Sequence, residues 1–123
     1  MANEMLPGHY QTLVTATADG TGTGLIPNDS VFITVTSSAG TQQCLLPPSF
    51  IGATIEGYVG ANGFRLKTIT GSGDTINAVN TSAGANATIP AAQFFSAQKI
   101  TATGWLLRTR SSFGSEGAAI VPA

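Results

Sequence analysis

Few side chains in this sequence could do chemistry, and they stand far apart. His9 is the sole histidine and Cys44 the sole cysteine, beside six carboxylates and five Lys or Arg residues. General acid–base work would need His9 held against a substrate. It lies in a short N-terminal stretch broken by Pro7-Gly8, so the plain alternative is a surface arm residue. Cys44 sits in a strand-like run between apolar neighbours, which favours a small buried hydrophobe over a reactive thiol. A lone cysteine excludes an intrachain disulfide and a Cys-based metal site. No two carboxylates stand at metal-ligand spacing. Glu56 and Asp74 could meet only through the fold, and Asp74 is expected to tie down its own turn through nearby backbone amides. Asp19-Gly20-Thr21-Gly22-Thr23-Gly24 is Gly-rich, but a phosphate cradle needs a helix N-terminus directly after the glycines. Leu25-Ile26-Pro27 and a strand-like run follow, so a plain loop is expected. Arg108 and Arg110, at i and i+2, point from one face of a strand. That face is either solvated or a contact for an acidic partner. The expectation is a chain with no catalytic residue, no metal and no cofactor, and not an enzyme.

The elements that carry these groups read as strands. Tyr10 to Thr17 is rich in Thr and β-branched residues, as strands are. Val31, Ile33 and Val35 alternate with Phe32, Thr34 and Thr36. Ser37-Ser38-Ala39-Gly40 reads as a turn and Thr41 to Leu46 as the return strand, so 31–46 is expected to form a hairpin that Pro47-Pro48 ends. Residues 54–59 and 64–70 flank Gly60-Ala61-Asn62-Gly63, and Asn-Gly is a strong hairpin signal because both residues tolerate positive φ. Thr75 to Val79 and Ala87 to Ile89 are short strands, 91–97 an irregular bend or short strand, and 98–103 and 105–110 the last strands, joined at Gly104. The expected architecture is all-β: a single-domain β-sandwich or jelly-roll-like barrel over residues 10–110. An N-terminal arm, 1–9, and a C-terminal tail, 111–123, extend from it. Phe94, Phe95 and Trp105 are large groups in a chain of small ones. They either fill the core or lie between subunits, where aromatics are enriched.

Composition agrees with strands and tight turns. Nearly half the residues are Ala, Gly, Ser or Thr, and charged residues make up 9%, against a usual quarter. A net charge of −1 and five scattered basic residues offer nucleic acid no basic patch. Little charge also means little repulsion between copies. No apolar run is long enough to span a membrane, and no secretory signal opens the chain. Synthesis in a cytoplasm is the default, and the formal glycosylation sequons at Asn28, Asn80 and Asn86 are discounted.

The stretch Leu46-Pro47-Pro48, Gly52-Ala53-Thr54-Ile55, Leu66-Lys67, Gly73-Asp74-Thr75-Ile76-Asn77 and Gly104-Trp105 resembles a recurrent module of tailed-phage virion proteins. Those proteins are capsid decoration (cement) proteins, head fibres and tail-fibre segments. The likeness covers about half the chain, and its order and spacing are more specific than any one piece. It implies a β-sandwich or jelly-roll-like fold, often trimeric, with a structural task. The length favours the capsid over a fibre shaft, and receptor-binding relatives carry a further domain. On this resemblance the chain is a decoration protein on the exterior of the virion capsid, made in the host cytoplasm, with the major capsid protein and its own copies as partners. Neither nucleic acid nor membrane is expected as a partner. Met5, Leu6, His9, Tyr10, Arg108 and Arg110 are the expected capsid contacts, and Phe94, Phe95 and Trp105 the expected trimer contacts. A fibre or receptor-binding module and a bacterial carbohydrate-binding or adhesin domain are the alternatives.

Overall fold

A computed structural model describes residues 11–123; the expected arm, 1–9, with Met5, Leu6, His9 and the neighbouring Tyr10, lies outside the described residues. Ten strands follow in order: β1 (Gln11–Thr15), β2 (Phe32–Thr36), β3 (Gln43–Leu45), β4 (Thr54–Val59), β5 (Phe64–Lys67), β6 (Thr75–Ile76), β7 (Val79–Asn80), β8 (Ala87–Ile89), β9 (Gln93–Lys99) and β10 (Gly104–Ser111). The described residues hold no α-helix, only a 3-10 turn at Gly22–Gly24. The all-β expectation holds. A seven-stranded sheet, ordered β1-β2-β4-β9-β10-β6-β7, faces a three-stranded sheet, ordered β3-β5-β8.

The period-2 pattern explains how the sheets meet. Val14, Ile33, Val35, Ile55, Val59, Phe95, Ala97, Trp105 and Leu107 turn inward from the large sheet. Cys44, Phe64, Leu66, Ala87 and Ile89 turn inward from the small one and join the same core cluster. Phe64 meets Phe95 edge-on, with ring centroids 5.5 Å apart. The Phe95 ring has room because Gly57 stands opposite it in register. A Cβ at Gly57 would come within 2.6 Å of Phe95 Cζ and 2.7 Å of Ile33 Cγ1.

Pairing departs from the sequence reading in both expected hairpins. β2 is parallel to β1 and to β4 in the large sheet, whereas β3 is parallel to β5 in the small one. Residues 31–46 and 54–70 are therefore arches that carry the chain from one sheet to the other. Neither Asn62 nor Gly63 is among the residues with positive φ, so the turn that Asn-Gly favours does not form. Asn62 instead donates from Nδ2 to the Ser37 carbonyl at 3.0 Å and ties the two arches together. The physical reason is that alternation looks the same either way. Inward residues of two strands face the core whether the strands lie side by side or across from each other.

The result is a parallel winding. Gln11 pairs with Phe32 and Phe32 with Glu56 in the large sheet, while Leu25 bridges Leu45 and Leu45 pairs with Lys67 in the small one. Each coil takes a little over twenty residues. Parallel neighbours separate this architecture from a jelly roll, whose strands are antiparallel. The loop after β1 covers the edge of β3: Thr17 exchanges backbone hydrogen bonds with Gln43, and Ile26 donates to Leu45 O. This is the use of the Gly-rich loop. The Asp19 carboxylate accepts from Thr21 N and Oγ1, at 3.0 and 2.7 Å, and shapes it.

The second half is mostly antiparallel, the exception being β6, which joins β10 in parallel. β9 pairs with β4 and with β10, so the segment left as a bend or short strand is a full central strand, and its reversal comes at residues 101–103. Thr75 to Val79 is not one strand. Asn77 (φ 49°) and Ala78 (φ 70°) turn β6 into β7, both positive as a tight hairpin requires.

The tail does not extend away from the domain. Arg110 bridges Glu116, Gly117 N donates to Thr109 O at 2.8 Å, and Ala123 and Asn86 exchange two hydrogen bonds just before the start of β8. Pro122 is buried. Gly117 permits the approach, since a side chain there would strike the Thr109 hydroxyl.

Candidate functional site

The outer face of the large sheet gathers most of the exposed chemistry. Its residues alternate with the core residues above, so the same period that buries Ile33, Ile55 and Leu107 lifts Thr34, Glu56 and Arg108 outward. Register aligns them in two rows. One runs Leu13, Thr34, Tyr58, Phe94, Arg110; the next runs Phe32, Glu56, Ser96, Arg108. Tyr58 and Phe94 contact each other with centroids 4.8 Å apart and planes at 53°. Beside them a shallow hollow of about 160 Å³ is lined by Glu56, Phe94, Ser96, Arg108, Arg110 and Glu116.

Two guanidinium groups and two carboxylates share this hollow, so its formal charge balances. Arg108 Nε lies 3.4 Å from Glu116 Oε2, and both side chains are more than half exposed. Such a pair contributes at most about 1 kcal/mol. It orients the Arg108 fork without consuming it. The surface is broad, with an aromatic step and charges of both signs, and it can meet another folded surface or a polar ring compound.

The expected site residues fall in different places. Arg108 and Arg110 are exposed on one face, as their spacing requires. Phe94 is at the surface, 36% exposed. Phe95 and Trp105 are core residues, 3% and 1% exposed, and have no surface left to offer a neighbour; the trimer-contact expectation needs correcting there. They fall on the inward parity of β9 and β10, which fills the space between the sheets. Met5, Leu6, His9 and Tyr10 lie outside the described residues. Glu56 and Asp74 do not meet: strands β9 and β10 stand between β4 and β6.

Asp74 has a different partner from the expected backbone amides. Its Oδ2 lies 3.5 Å from Lys99 Nζ, with the two side chains 17% and 4% exposed. The ammonium also sits over the Trp105 ring, 5.3 Å from its centroid. Sequence reading passed over Lys99; its only signal was a lone Lys at an inward position of a strand. Tyr58 was likewise missed, because only pairing with β9 places it against Phe94.

Cys44 is fully buried, and burial pushes its thiol up to about 12, so it is no nucleophile at neutral pH. Among the described residues no group of three or more His, Cys, Asp or Glu could hold a metal ion. No helix among them is long and apolar enough to cross a membrane. Comparisons with protein-family models, with curated proteins and with solved structures return no match.

Proposed function

We propose that this chain is a structural virion protein: a capsid decoration (cement) protein that binds the outer surface of a phage head and stabilises it as a homotrimer. The resemblance of residues 46–105 to phage decoration and fibre modules supports the reading. So does the arrangement of two sheets on one core, a β-sandwich in outline. The observation that carries it is the outer face of the large sheet. It is wide and shallow, pairs Tyr58 with Phe94, and holds Arg108, Arg110, Glu56 and Glu116 around one hollow. Aromatic and Arg side chains are what protein interfaces concentrate. The tail, drawn back onto its own domain, adds Glu116 to that face.

The test is co-sedimentation of the purified chain with heads of the phage that encodes it. Saturable binding, with heads that rupture at higher temperature once decorated, supports the proposal. Arg110→Glu and Tyr58→Ala are each expected to weaken binding at least tenfold, about 1.4 kcal/mol or more. Wild-type chain that stays in the supernatant rejects it. The Tyr58–Phe94 step also favours a second reading, a receptor- or carbohydrate-binding module, because an aromatic face beside Arg and Glu suits a sugar ring. Glycan binding lost in Tyr58→Ala, without head binding, selects that reading.

A further inference from the structure

The last residues of the chain dock on a site built to receive them. Gly117 N donates to Thr109 O at 2.8 Å, and a Cβ at Gly117 would strike the Thr109 hydroxyl, so this point takes glycine. Asn77 Nδ2 donates to Ile120 O at 2.9 Å. Ile120 packs against the core cluster, Pro122 is buried, and Ala123 and Asn86 exchange two hydrogen bonds of 3.1 Å. Every one of these partners belongs to the body of the domain, and none of the contacts depends on which copy the tail comes from. Between the docking points the tail stands off, with open spaces of about 350 and 620 Å³ flanking residues 117–121. A short reversal, Ser112-Phe113-Gly114, joins the tail to its own β10. It is exposed throughout, with Phe113 95% in solvent, and Gly114 turns it at φ 86°. Local bonds hold it: Gly114 N donates to Ser111 O at 2.9 Å, and Ser111 Oγ accepts long bonds from Phe113 N and Ser115 N, at 3.3 and 3.2 Å.

We propose that copies of this chain exchange their C-terminal tails, residues 115–123 of one docking on the body of the next. Exchange remakes every docking contact between copies instead of within one. Its cost is the reversal and the freedom of the separate chains. Short hinges invite it, and this hinge, once opened, lets β10 run straight on into the tail. The site itself names the occupant. Glycine against Thr109, an apolar side chain against the core, a buried proline and a last residue paired with Asn86 together select this tail, its own or another copy's. Each copy gives one tail and receives one, so a ring of three closes with no tail and no site left over. The inference rests on the self-association in the function proposed above and supplies its contacts, a task that Phe95 and Trp105, being core residues, cannot perform.

Two full-length variants, Asn86→Cys and Ala123→Cys, mixed at hundreds of micromolar and mildly oxidised, test it. Residues that exchange both backbone hydrogen bonds have Cα atoms about 5.5 Å apart, within reach of a disulfide, and Cys44 is buried. Neither variant can close this disulfide within itself. Exchange is therefore expected to give the mixed pair well above its statistical share over the two homodisulfides, and Phe113→Cys in place of Ala123→Cys is expected to give no such excess. Sedimentation velocity of the full chain is the second measurement. Wild type is expected to associate as its concentration rises. Gly114→Val puts a side chain at a left-handed φ and should raise the associated fraction about threefold, whereas Gly-Ser-Gly-Ser inserted after Gly114 eases the return and should lower it. A mixed disulfide at its statistical share, a wild type and a Gly114→Val that both stay monomeric, or association that the insertion leaves unchanged would each overturn the inference. Head binding by a chain that shows no exchange would leave the decoration reading standing without it. Exchange in a chain that ignores heads would reject decoration and keep the inference.

Discussion

The two sides of the large sheet are built by opposite rules. On one side β1, β2 and β4 lie parallel, and every return passes through the small sheet, so neighbours in space are a full coil apart in sequence. On the other, β9–β10 and β6–β7 are antiparallel hairpins whose partners are close in sequence, and only the β6–β10 pair that joins them is parallel. The wound side depends on what fills the gap between sheets: Ile33, Val35, Ile55, Val59 and Phe64 are all essentially buried. The hairpin side ends in two-residue strands of which only Ile76 is fully buried in the core, and polar clasps hold it. Asn77 is the chief one. Its Nδ2 donates to Leu107 O and Ile120 O, and its Oδ1 accepts from Leu107 N at 2.8 Å. Apolar filling and polar clasping are thus divided between the sides, and the Lys99–Asp74 pair adds an ionic tie within the hairpin side, from the end of β9 to the start of β6.

Substitutions on either side break or sharpen that division. The largest effect is expected on the wound side. Gly57→Val drives a branched side chain into Phe95 and Ile33, and overpacking of this kind costs about 3 kcal/mol or more. A urea midpoint that hardly moves would show that the winding tolerates slack and would remove the contrast. Next comes the ion pair of the hairpin side. Asp74→Ala strands the buried Lys99 ammonium, at a cost of about 2–3 kcal/mol, below the usual range for buried pairs because Asp74 keeps some water contact. Lys99→Met added to Asp74→Ala should restore most of it, and thermal melts of the single and double variants check this.

The clasp follows. Asn77→Ala leaves the Leu107 amide without its side-chain acceptor and should cost about 1–2 kcal/mol. Its signature is local: cleavage within residues 112–121 should speed up under limited proteolysis more than global unfolding explains. Equal changes in both would mean that the hairpin side is not separately clasped. The smallest effect has the opposite sign. Ala78 sits exposed at φ 70°, where a Cβ is unfavourable, so Ala78→Gly should stabilise by about 0.5–1 kcal/mol. Differential scanning calorimetry would show a small upward shift, and a decrease would place the strain elsewhere.

The comparison also explains what could be read in advance. On the hairpin side Arg108 and Arg110 were rightly placed on one face, but the strand expected at 98–103 ends at Lys99, and the chain reverses at 101–103 before Gly104 opens β10. The wound side was misread twice, at Ser37–Gly40 and at Asn62-Gly63, although its strands were found. Turn residues report that a chain reverses. They do not report whether the returning strand pairs beside the first or packs across from it. Asn77-Ala78 shows the converse, since a tight turn formed where the sequence carries no glycine, with the Asn77 side chain bonded to β10 and the tail.

What the amino-acid sequence determined by itself was the class of structure and the parity of each strand. Scarce charge, abundant Thr and β-branched residues, and period-2 alternation commit the chain to strands with one wet and one dry face, because only that arrangement hides the apolar half. Parity in turn decided that Arg108 and Arg110 share a surface. Only the tertiary structure decided which strands neighbour one another, and so that Tyr58 meets Phe94 and that Lys99 is spent on Asp74. Those choices rest on contacts between residues distant in sequence, whose energies depend on how the two sheets fit together rather than on any local preference.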